Sequence, residues 1–152
     1  MPIDPRVPSI AEVVETQSQE LNQLATELSE RIKAFEEWLN RLPGKVEAVE
    51  WEAIPDLNAP PVVLLGLRLH RSGKTWVLSY DYSRFNESHS IRDWTLLSEA
   101  SVNIKIDAVK IFPSLLKKIV SEQNEKIKEL QSVHNTFDDF AKVIGMTAKE
   151  EA

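Results

Sequence analysis

Apolar residues recur every three or four positions along two long stretches, one near each end, and alternate with polar residues in between. The first stretch holds Ile10, Val13, Val14, Leu21, Leu24, Leu28, Ile32, Phe35, Leu39 and Leu42. That spacing puts them on one face of a helix. Ser9 and Glu12 have the spacing of a capping box, and Pro43-Gly44 ends the run. A helix over 9–42 is expected, about 50 Å long at 1.5 Å per residue. Near the other end, Leu116, Val120, Gln123, Ile127, Leu130, His134, Phe137, Ala141 and Ile144 follow an alternating four-three spacing. This is the seam of a coiled coil. Gly145 is placed to cap that helix.

The centre changes period. Val49, Trp51 and Ala53 alternate with Glu50 and Glu52, as in a half-buried strand. Val63, Leu65, Leu67 and Leu69 share one face of a second strand, and Trp76, Leu78, Tyr80 and Tyr82 one face of a third. Arg71-Ser72-Gly73-Lys74 joins these two as a hairpin. Trp94–Leu97 adds a short fourth strand. Residues 102–110 fit two periods: Val102, Ile104, Ile106 and Ala108 alternate like a strand, whereas Val102, Ile106, Val109 and Phe112 fit a helix that Ser101 caps. The helix is preferred because it runs on into the last segment, with Pro113 kinking it or opening a new helix.

The expected fold is α+β: a long N-terminal helix, an antiparallel β-meander of three or four strands, and a long C-terminal helix. An extended arm (1–8, with Pro2, Pro5 and Pro8) precedes a single domain over 9–145. That domain comprises helix 9–42, a β-rich centre over 46–98 and a helical region over 102–145. A fraying tail (146–152) follows. Within one chain the stripes can be covered by an antiparallel coiled coil between the two helices or by packing on the sheet, and between chains by a second copy or a partner.

Composition narrows the class. A chain of 152 residues with no cysteine excludes disulfides and thiol chemistry and suits a cytoplasmic protein. No apolar run approaches a membrane span, and the first residues do not resemble a signal peptide. The net charge of −6 is unevenly spread. Residues 1–60 hold 5 Lys/Arg and 12 Asp/Glu, residues 61–120 hold 9 and 5, and residues 121–152 hold 4 and 7. The basic centre interleaves Arg68, Arg71, Lys74, Arg84 and Arg92 with aromatic residues, the pattern of an anion or single-stranded nucleic-acid surface. Compensation of the acidic ends is the competing explanation.

Other chemistry is sparse. Ser72-Gly73-Lys74-Thr75 resembles the end of a phosphate loop. Arg68 stands where that loop needs its first glycine, and the segment joins two strands instead of opening a helix. His70, His89 and His134 lack metal-ligand spacing. The stretch Asp81–Asp93 gathers carboxylates, arginines and His89 and is the one candidate enzymatic loop. No catalytic residue, metal or cofactor is expected. The sequence therefore predicts a non-enzymatic interaction or assembly module that presents a sheet or loop face to a protein partner. Its predicted interface is the helical seam: Leu21, Leu24, Leu28, Phe35, Leu116, Val120, Ile127, Leu130 and Phe137. A homo-oligomer is expected, with a dimer favoured. Nucleic-acid or anion binding is the alternative.

Overall fold

A computed structural model describes residues 9–54, 63–84 and 94–145. The chain runs α1 (Ile10–Arg41), β1 (Ala48–Ile54), β2 (Val63–Ser72), β3 (Thr75–Arg84), β4 (Thr95–Leu96), a 3-10 turn (Leu97–Glu99) and α2 (Val102–Ile144). The α+β fold read from the periodicity is the observed one. The strands form one antiparallel sheet in the order β1-β2-β3-β4.

Local chemistry accounts for the element ends. The Ser9 side chain accepts from the Glu12 N–H at 3.1 Å, and Glu12 Oε2 accepts from the Ser9 N–H at 3.3 Å. Two otherwise unpaired donors at the start of α1 are thus satisfied. Ser101 caps α2 through Ile104 N–H, and Gly145 closes it at φ 75°. The hairpin turns at Gly73, where φ is 63°. Residues 102–110 are helical, so the alternation of Val102, Ile104, Ile106 and Ala108 is not that of a strand. Pro113 neither ends α2 nor starts a new helix. It lies on the exposed side with Val109, so the carbonyl it deprives of a donor faces water.

Both helices cover the same face of the sheet. Leu65, Leu67 and Leu69 of β2 and Leu78 of β3 are fully buried against Ile32 and Leu39 of α1 and Ala108, Ile111, Leu115 and Ile119 of α2. Trp76, Tyr80, Phe35 and Phe112 close the rim of this core, and the two phenylalanine rings lie 4.5 Å apart. The core stripe of α2 is not the face suggested by Val102, Ile106 and Val109. Those three are 36–42% exposed, while Ile104, Ala108 and Ile111 point inward.

The helices do not pair along their length. Lys105 Nζ donates to Ser29 Oγ at 2.9 Å, and Phe112 meets Phe35 seven residues further along α2 and six further along α1. Both contacts advance in the same order, so the helices run in the same sense where they touch. In place of an antiparallel coiled coil within one chain, the described helices share a sheet face.

Candidate functional site

Each helix is half anchored and half free. In α1 the anchored half begins near Leu28, and in α2 it ends at Ile119. Because the helices run in the same sense through the contact, α1 projects before it and α2 after it. The two free arms therefore leave the α1–α2 contact in opposite senses. The α1 arm (10–27) is about 27 Å long and the α2 arm (120–144) about 37 Å.

The predicted seam divides accordingly. Leu28, Phe35 and Leu116 pack against the core. Leu21, Leu24, Val120, Ile127, Leu130 and Phe137 lie on the arms, each at least half exposed. Ile10 and Val14 extend the α1 stripe, while Val133 and Phe140 widen that of α2, all exposed. An uncovered apolar stripe on a helix several turns long is unusual for an isolated chain.

The basic residues do not converge. On β2, Arg68 lies with Gly66 and His70 on the face away from the helices, whereas Arg71 pairs with Trp76 on the helix side. Arg68 is also engaged: its guanidinium lies 3.7 Å from Glu47 and 5.8 Å from the ring centre of Trp94. Arg71 Nε donates to the Gly73 carbonyl at 2.9 Å, and Lys74 is exposed at the hairpin turn. Arg84 ends β3, but its side chain, like all of Arg92, lies outside the described residues. Trp76 and Tyr80 are core-facing, so they offer no stacking platform beside Arg68.

The outer face has its own aromatic pair, because the apolar phase of β1 is turned away from the helices: Val49, Trp51 and Ala53 lie on the outer face, while Glu50 and Glu52 share the helix side with Leu67 and Leu65, and Ser114 of α2 bonds Glu52. Trp51 and Trp94 lie 5.5 Å apart. Trp51 covers Gly66, its partner in the β1–β2 register, so closely that a methyl group there would meet the indole at 2.6 Å. His70 Nε2 and Ser79 Oγ are 2.7 Å apart beside this pair, and Ser79 is buried. Gly66→Ala is expected to cost about 1–3 kcal/mol in urea unfolding through overpacking. The same change in a Trp51→Ala background should cost much less, and equal costs in both backgrounds would dismiss the contact as the cause.

Of Asp81–Asp93, most residues lie outside those described; the Tyr82 hydroxyl donates weakly to Asp107 Oδ2 at 3.5 Å. A cleft of about 350 Å³ is lined by Ser29, Ile32, Lys33, Glu36, Ser98 and Lys105. Its buried lysine is held by Ser29, and Glu36 accepts from the Leu78 N–H at 2.8 Å. Among the described residues, no three His, Cys, Asp or Glu side chains cluster as metal ligands. Nor is any described helix long and apolar enough to cross a membrane.

No family model, curated protein or solved structure matches the chain.

Proposed function

We propose that this chain is a non-enzymatic assembly module that self-associates through its two helical arms. One observation carries the reading: the arms leave the α1–α2 contact in opposite senses with their apolar stripes exposed. Neither stripe can reach the other within one chain. A second copy supplies both missing surfaces, and a dimer is the smallest closed assembly that covers them. The outer sheet face, on the side away from both helices, is the surface we assign to a protein partner. The anion-binding alternative has less support, because Arg68 and Arg71 sit on opposite faces.

The direct test is mass in solution. Light scattering at high micromolar concentration should return a small integer multiple of the 17.3 kDa chain, dissociating on dilution. A protein that stays monomeric throughout that range is not an assembly module of this kind.

A further inference from the structure

We infer that the partner of the α1 arm is the α2 arm of another copy, in an antiparallel coiled coil of one defined register. This rests on the self-association proposed above and adds which arm meets which, and where.

Charge selects the pairing first. The α1 arm carries Glu12, Glu15, Glu20 and Glu27 and no lysine or arginine. Pairing two such arms sets acid against acid, with nothing to offset it. The α2 arm carries Lys126, Lys128 and Lys142 among its acids. An α1–α2 pairing avoids that clash and can bring one of these glutamates, Glu27, beside a cation, Lys126.

The seams then fix the register. Written as heptads, α1 places Ile10, Val14, Gln17, Leu21, Leu24 and Leu28 on its seam, with a single polar position, Gln17. The α2 seam has two, Gln123 and His134. Facing residues in an antiparallel pair have numbers with a constant sum. When Gln17 faces His134, Val14 faces Phe137, Leu21 faces Leu130 and Leu24 faces Ile127. Ile10 meets Ala141. Gln123 falls opposite Leu28, at the boundary where Leu28 already packs on its own core.

The flanking positions agree. Glu27 comes beside Lys126, Val13 beside Phe140, and no two like charges face each other. In the single chain Lys126 bonds Glu129 at 3.0 Å, an exposed pair that is readily exchanged. A slip of one heptad in either direction breaks the match. It sets Gln17 against Ile127 or Ala141, and His134 against Ile10 or Leu24. A polar pair matched in one register and mismatched in the neighbouring ones specifies alignment. Each copy offers one arm of each kind. Reciprocal exchange closes a dimer, and sequential exchange extends to a ring or an open chain.

The absence of native cysteine makes the test direct. Chains carrying only Gln17→Cys and chains carrying only His134→Cys are mixed, allowed to exchange and oxidised. Most of the material should become disulfide-linked heterodimer. Gln17→Cys mixed with Ile127→Cys, the one-heptad slip, should give at least about tenfold less. Each single-cysteine chain alone should also remain largely unlinked. Both positions lie on exposed arm segments, and circular dichroism checks that the helices persist. Efficient linking of His134→Cys to itself, of Gln17→Cys to itself, or of the slipped pair overturns the inference. Light scattering of the unmodified chain separates the two proposals. A monomer removes self-association, whereas an oligomer without the Gln17–His134 link removes the pairing alone.

Discussion

Leu115→Ala is expected to cost about 2–5 kcal/mol of unfolding free energy, whereas Leu130→Asp, four turns further along the same helix, should cost the monomer under about 1 kcal/mol. Leu115 is fully buried against the sheet, while Leu130 is 51% exposed on the free arm. Truncating the first leaves a cavity among close-packed neighbours. Replacing the second removes nothing that the isolated chain uses. Association should respond in the opposite order. An aspartate in a central apolar layer should weaken self-association on the order of 100-fold, because a buried carboxylate without a partner is costly there. Urea unfolding at low micromolar concentration, below the assembly range, reads the first effect without contamination from the second. Light scattering over a concentration series reads the second. If Leu130→Asp also unfolds the monomer, the arm is covered within the chain and the assembly reading fails. If it changes neither stability nor mass, the stripe has no role in solution.

The two halves of α2 also show how far sequence reading reached. The four-three spacing from Leu116 onward follows the free arm, but the anchored half buries Ala108, Ile111, Leu115 and Ile119, one residue out of phase at Leu115 and Leu116. A helix of 3.6 residues per turn drifts against a heptad, so one long helix can present different faces to a sheet and to a partner. Lys105 was invisible as a core position because its charge argues for solvent; its amine reaches Ser29, 76 residues away in sequence. The relative sense of the two helices could not be read at all, since an apolar stripe has no direction. Arg68 and Arg71 are three apart on one strand, an odd spacing that places them on opposite faces. The hairpin, the capping box and the existence of the strands were legible because each depends on a few adjacent residues, but the facing of β1 was not, since Ala48, Glu50, Glu52 and Ile54 turn to the helices and Val49, Trp51 and Ala53 away from them. The outer Trp51–Trp94 pair was not, because it joins segments 43 residues apart.

The other large effect should come from Glu36 and Asn40, which hold α1 along the edge of β3. Beyond β4 that edge has no strand neighbour in the described sheet, and the N–H groups of Trp76 and Leu78 point away from β2. Asn40 Oδ1 accepts from Trp76 at 3.0 Å and Glu36 Oε2 from Leu78 at 2.8 Å. The spacings match: four residues of helix advance about 6 Å, and two residues of strand about 6.6 Å. Two side chains one turn apart can thus satisfy alternate donors on a neighbouring strand. Glu36→Ala and Asn40→Ala should each cost about 1–3 kcal/mol, because Leu78 is fully buried and Trp76 partly so, leaving their donors without acceptors. Hydrogen exchange gives a local readout. The Leu78 amide should exchange markedly faster in Glu36→Ala, and the Trp76 amide in Asn40→Ala, with little change in β1. Glu36→Gln retains an acceptor and should keep most of the protection. Were it as damaging as Glu36→Ala, the carboxylate's charge would matter and acceptance at the strand edge would not. Unpaired strand edges also recruit other chains. Glu36→Ala with Asn40→Ala should therefore raise aggregation as well as lower stability. These two contacts fix the direction of α1 over the sheet, and so the direction in which its arm leaves. Loosening them should weaken arm-mediated assembly even though neither residue lies on an arm.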